Sequence, residues 1–250
     1  MFTLKGVDFM FRNDHDTYDR YSSYDSYGQE ARIAGKQRYF AQTYGLMAGA
    51  LAVTFLLALA TARFFPQVAA SSGIVIFLCI AQLVLVFSLS RSLTRGNTTS
   101  TLVKFLLYAA FTGVSFSSIF LYFRAETLVL CFLATAASFG GMALYGLYSK
   151  RDILSWGGTL FGGLIGLLVL MLLGFFLSVP TFHLFISVLG VLVFMGMTAY
   201  DTRKLSLMYD HAAGTRAAQA YSIYGAFQLY LDFINLFLYL VRLIGLTDRD

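Results

Sequence analysis

A chain of 250 residues that is 58% apolar and 12% charged, with mean hydropathy +0.70, would leave too much apolar surface in water to be a soluble globule. Its formal charge of +5 comes without the aromatic and basic interleaving of a nucleic-acid surface. The composition is that of a multi-pass membrane protein whose first partner is the lipid bilayer.

Residues 1–34 are a different material from the rest. Six of the thirteen acidic residues fall in the first thirty, with Tyr18, Tyr21, Tyr24 and Tyr27 and few aliphatic residues, which predicts a disordered polar tail. Asp8, Asp14 and Asp16 interrupt any apolar stretch of the kind a signal peptide needs. Asp14, His15 and Asp16 are consecutive in sequence and make a poor metal cage.

From residue 35 to 250 the sequence predicts one membrane domain with seven spans. They run roughly over Tyr39 to Ala62, Gly73 to Ser90, Leu102 to Tyr122, Thr127 to Leu147, Gly157 to Leu177, Phe182 to Tyr200 and Ala220 to Val241. Each approaches the roughly 20 residues that a helix needs to cross a hydrocarbon core of about 30 Å. The runs are continuous rather than alternating, which selects helices over a barrel, since in lipid the backbone must satisfy its own hydrogen bonds. The connections are short except between spans six and seven, where a dozen residues or more are expected. Cys79 and Cys131 fall inside spans with no close-spaced partner and read as small packing residues. Gly158, Gly162 and Gly166 in span five, and Gly140, Gly141 and Gly146 in span four, predict close approach by a neighbouring helix.

Basic residues beside the spans set the orientation. Arg32, Lys36 and Arg38 flank the first span, and the loops on that side add Arg91, Arg95, Lys150, Arg151, Arg203, Lys204 and Arg216. The other side holds Arg63, Arg124, Arg242 and Arg249. The N-terminus is therefore expected inside and the C-terminus outside.

Two carboxylates stand out. Asp232 lies within the last apolar run and Asp201 ends the run before it. A carboxylate in hydrocarbon costs on the order of 3 kcal/mol on insertion scales, so it is tolerated where it faces protein, water or an ion. Gln228, Asp232, Asn235, Tyr239 and Arg242 advance by four, three, four and three, which keeps them on one helix face. This polar stripe should point into the bundle, place the seventh helix near its centre and line any polar path. A hydrogen-bonded network that only fixes helix register would use Gln228, Asn235 and Tyr239 equally well, whereas a neutral amide in place of Asp232 would serve register at lower cost. With the expected topology, Asp201 at the inner end of span six and Asp232 about one to three turns into the membrane can meet in the inner half. Arg91, with Arg95 one turn beyond, ends span two on the same side.

Thr198-Ala-Tyr-Asp-Thr-Arg-Lys204, followed by Leu229-Tyr-Leu-Asp-Phe-Ile-Asn-Leu-Phe237, resembles the paired signature of the bacterial branch of the Bax inhibitor-1 family. Phe139-Gly-Gly-Met-Ala-Leu-Tyr-Gly146 with Arg151-Asp152 is similar to that family's fourth span and loop, and the resemblance runs from about residue 35 to the C-terminus. It implies a seven-transmembrane-helix bundle with the seventh helix central, in a bacterial inner membrane, acting as a pH-dependent calcium leak rather than an enzyme and needing no cofactor. In that picture Asp201 and Asp232 form the pH-sensing and ion-binding pair, Ca²⁺ is the transported ion, and an arginine of the second helix, Arg91 or Arg95, latches Asp201. Many relatives carry a glutamate in the second helix where the nearest residue here is Gln82.

The residues fit that chemistry. Two carboxyls close together in low dielectric share a proton and titrate as a unit. Ca²⁺ wants six to eight oxygens, of which the pair supplies at most four, so binding is expected to be weak enough for passage. Two other readings stand beside this one. A membrane regulator would bind a membrane protease or a cell-survival partner through its outer faces. An intramembrane aspartyl protease would also pair two aspartates, but Asp232 lies in Leu-Tyr-Leu-Asp rather than Gly-x-Gly-Asp, and no Pro-Ala-Leu motif follows.

Overall fold

The computed structural model describes the backbone of residues 7–94, 97–177, 179–215 and 217–247, and side chains from residue 29 onward except at 93–96, 175, 178, 180, 216 and 246–250. Seven long helices carry the fold: α1 (Val7–Phe64), α2 (Ser72–Thr94), α3 (Thr98–Phe116), α4 (Ala125–Tyr148), α5 (Gly157–Phe176), α6 (Pro180–Ala212) and α7 (Ala217–Thr247). Short helical turns at Pro66–Ala69, Ile119–Tyr122 and Ile153–Trp156 fill three of the links. Each long helix contains a stretch long and apolar enough to span a bilayer, and the stretches coincide with the seven expected runs. The first stretch begins at Gln29. Most of the segment 1–34, expected to be a disordered tail and including Asp14, His15 and Asp16, has side chains outside the described residues, as does Arg95.

The arrangement is a bundle built around α7, which packs against α1, α3, α4 and α6. Half of its apolar window is buried, against a third or less for every other helix. By contrast α2 leans on α3 and α5 leans on α6, and both turn most of their surface outward. The exposed faces are apolar, including Ile76, Phe77, Leu83 and Phe87 of α2 and Phe161, Leu168 and Leu172 of α5, which suits contact with hydrocarbon.

The link between the last two spans is shorter than expected. Instead of stopping near Asp201, α6 continues to Ala212, eleven residues further. Hydropathy falls at Arg203 and Lys204, but Thr202 to Ala212 contains neither Gly nor Pro, and Leu205, Tyr209 and Ala212 are buried at helical spacing. The chain turns instead at Gly214, whose φ of 78° lies in the left-handed region that favours glycine.

The expected glycine face of α5 also needs correction. Nothing lies within 4 Å of a Cβ added at Gly158, Gly162 or Gly166, nor at Gly140 or Gly141 of α4. These positions are turned away from the neighbouring helix, because α5 meets α6 through the face that carries Leu160 and Gly163, which face Gly196 and Val193. Gly146 behaves as expected, with a Cβ there running into the backbone of Ala199. Cys131 is buried with Leu128 and Val241, whereas Cys79 is exposed on α2.

Candidate functional site

The register between α6 and α7 decides where the acids sit. Gly225 of α7 faces Leu205 of α6, and Gly190 of α6 faces the ring of Tyr239, so the antiparallel helices are pinned on both sides of Asp201. Asp201 lies eleven residues before the end of α6 and Asp232 fifteen residues after the start of α7. At 1.5 Å per residue these are about 16 and 22 Å along the two helices. The continuation of α6 past Asp201 brings that residue to a level that matches Asp232 on α7.

The two side chains meet. Asp201 and Asp232 face each other across the seam between α6 and α7, close enough for each carboxyl to act on the other, and both residues are almost fully buried, at 2% and 3% exposure. Among the described residues, Asp201 Oδ1 and Asp232 Oδ2 have no hydrogen-bond partner, and neither does Gln228 Oε1, one turn before Asp232 on α7. Buried oxygens left without donors are unusual in proteins and are costly unless a proton, water or ion visits them. Lys204, three residues further along α6, is a cation close enough to act on Asp201. Arg91 is exposed on the last turn of α2, a helix that packs on α3.

The stripe on α7 divides along its length. Asn235 donates from Nδ2 to the carbonyl of Leu231 at 2.8 Å, within its own helix. Tyr239 is buried, stacks on Phe194 with ring centroids 5.8 Å apart, and donates its hydroxyl to Met171 Sδ at 3.2 Å. Arg242 is exposed and lies 5.7 Å from the Tyr239 ring centroid. Polar character facing the acids is thus concentrated at Gln228 and Asp232, while Tyr239 seals the seam between α5, α6 and α7 with aromatic contact.

Contacts that sequence reasoning did not find tie this seam to the other helices. Thr54 of α1 donates to the Ala109 carbonyl of α3 at 2.9 Å, and its hydroxyl lies 2.7 Å from that of Tyr230 on α7. On the neighbouring side of α3, Thr112 accepts from Gln82 Nε2 of α2 at 2.7 Å and donates to the Tyr108 carbonyl, so α2 is tied to α3 beside the contact that joins α1, α3 and α7. Toward the start of α7, Thr43 and Ser222 hydroxyls lie 3.1 Å apart, and Tyr44 meets Thr202 at 3.4 Å. Lys104, a charge inside the third span, donates to the Ser88 carbonyl and to Ser92 Oγ, at 3.1 and 3.0 Å. A lone lysine in an apolar run was the available signal for that contact, whereas scattered threonines and tyrosines give none. Among the described residues no group of three or more His, Cys, Asp or Glu gathers into a metal site.

The chain matches the family described as "Inhibitor of apoptosis-promoting Bax1" over residues 36–249. It is 40% identical to the inner membrane protein YbhL of Escherichia coli over 232 residues, covering 91% of this chain and 98% of that protein. It is 36% identical over 218 residues to a Rickettsia prowazekii protein, covering 86% and 92% of the two chains. A Lactococcus lactis protein, YrjE, is 34% identical over 228 residues, covering 88% and 97%.

Proposed function

This chain belongs to the Bax inhibitor-1 family, and on that premise we propose that it is a pH-sensitive leak for calcium or similar cations, gated by Asp201 and Asp232. One observation carries the reading. Two buried carboxyls from adjacent helices meet in the membrane domain and keep one oxygen each without a partner. That arrangement is poor for stability, since neutral side chains would pack there at lower cost. It is suited to a site that exchanges protons or admits a cation for part of the time.

In this reading the present arrangement is closed. Asp232 is buried, and Tyr239 fills the seam further along α7. When the pair carries negative charge it attracts a cationic side chain, and acidification removes that charge and frees the helices to separate. With two carboxylates and the Gln228 oxygen as the concentrated donors, a calcium ion would be held loosely, as permeation requires. The N-terminus faces the cytoplasm in this scheme, following the distribution of basic residues.

Calcium flux into liposomes across a pH series tests the proposal. Wild-type protein should pass more calcium as pH falls. Asp201→Asn and Asp232→Asn should each flatten the profile. If both variants keep the parent's flux and pH response, the gating role is wrong, and a folded protein with no flux at any pH would favour the membrane-regulator reading. The latch is tested in the same assay. Arg91 and Arg95 at the end of the second span and Lys204 beside Asp201 are the candidates, and neutralising the true latch should produce flux already at neutral pH.

A further inference from the structure

A cleft of about 350 Å³ opens on the side of the bundle between α1 and α4, well away from Lys204 and the start of α7. Its depth comes from small side chains, since Ala48 and Ala52 of α1 present only methyl groups where the flanking helix positions carry Leu and Phe. Phe233 and Phe237 of α7 form the floor, and Phe55 and Phe132 stand exposed at the rim. The single hydroxyl in the lining belongs to Thr54 and is already engaged by Tyr230 and the Ala109 carbonyl.

Such a site offers water nothing to bind. An engineered apolar cavity of about 150 Å³ in a soluble protein stays dry and takes up benzene, and this one is larger and opens sideways. Its rim is continuous with the outward apolar surface of Leu56 and Leu59 on α1 and Leu130 and Leu133 on α4, so whatever enters comes from the hydrocarbon layer.

Charge at one end narrows the occupant further. Arg63, in the last turn of α1, lies five residues beyond Ala58 of the cleft, and Arg124, which precedes α4, lies four residues before Leu128. At 1.5 Å per residue both are about 6 to 8 Å past the lining. Both are exposed at the same end of the cleft. The geometry points to a binding site for an anionic phospholipid, with one acyl chain laid in the cleft between α1 and α4 and the phosphate held by Arg63 and Arg124. The site uses neither carboxyl, and its test reads lipid binding rather than ion flux, so it stands or falls apart from the leak.

The test uses the full chain reconstituted in vesicles. Trp156 is the only tryptophan, so a Trp156→Phe, Phe237→Trp protein places one fluorophore on the cleft floor. Phosphatidylglycerol with brominated acyl chains should quench it at least twofold more strongly than the brominated phosphatidylcholine equivalent. Ala52→Phe, which fills the cleft from the rim, should remove most of the quenching by either lipid. Arg63→Gln with Arg124→Gln should abolish the preference between lipids while leaving quenching by both. Unchanged quenching in the Ala52→Phe protein would overturn the acyl site, and equal quenching by the two lipids before any arginine is changed would overturn the headgroup assignment. Native mass spectrometry of otherwise unaltered protein, wild type against Ala52→Phe, gives a second reading that does not depend on the reporter folding. One retained phosphatidylglycerol in the wild type and none in the variant supports the site, and equal retention overturns it.

Discussion

A Cβ placed on Gly146 would run into the carbonyl oxygen of Ala199, two residues before Asp201, so α4 and α6 touch backbone to backbone beside the carboxyl pair. No flexible side chain is there to move aside. Gly146→Val should therefore destabilise the bundle by about 1 to 3 kcal/mol, the usual cost of forcing extra atoms into a packed site. Gly158→Ala and Gly162→Ala, with open space around them, should change stability by less than about 0.5 kcal/mol. Thermal unfolding in detergent compares the three directly.

Tyr230 ties α7 to α1 through its hydroxyl, which meets that of Thr54 at 2.7 Å. Tyr230→Phe should cost about 1 to 3 kcal/mol, because the buried hydroxyl it leaves behind loses a partner. Thr54→Val removes the other end of the same contact. If the contact is direct, the double variant should cost less than the sum of the singles by about 0.5 kcal/mol or more. Additive effects in the same unfolding assay would mean that the two hydroxyls act separately.

Much of this architecture was legible in the sequence, for reasons particular to membranes. Hydrocarbon demands continuous apolar helices, so all seven spans could be placed from hydropathy, and the polar face on α7 identified the central helix because a carboxylate there must turn inward. The end of α6 was misplaced because hydropathy reports where hydrocarbon ends, whereas a helix ends where its backbone finds a cap, here at Gly214. The α5 glycines misled because a spacing of four defines a face without saying which way it points. The links of Thr54 to Tyr230 and of Gln82 to Thr112 were invisible because such residues are common in these helices, and only the packed structure shows which of them meet.

Beyond the apolar core, the end of α6 is fastened to α1. Asp210 pairs with Lys36 at 2.9 Å and with Arg32 at 3.3 Å, beside the Tyr39 and Tyr209 rings, whose centroids are 5.1 Å apart. The Arg32 side chain is 62% exposed, and ion pairs of that kind contribute about 0 to 1 kcal/mol and are screened by salt. Asp210→Asn should lower the unfolding temperature only slightly in low salt, and the difference from wild type should vanish at about 1 M salt, where the Debye length falls to about 3 Å. A large loss that persists in high salt would mean that the tyrosine contact depends on the ion pairs.

The final question is why two acids occupy a place that neutral residues would fill at less cost. Asparagine has nearly the same shape as aspartate and adds donors that the partnerless oxygens Asp201 Oδ1 and Asp232 Oδ2 lack. The Asp201→Asn, Asp232→Asn double variant should therefore be at least as stable as the wild type in detergent at neutral pH, because an amide pair carries no buried charge. Asp232→Leu should behave differently. It leaves the Asp201 carboxyl buried without its partner, at a cost of about 1 to 3 kcal/mol or more if the group is charged. An unfolding series over pH separates the cases, since the amide double variant should lose whatever dependence the pair contributes. If that double variant were instead strongly destabilised at every pH, the acids would be holding the helices in register, and a proton-driven gate would lose its main support.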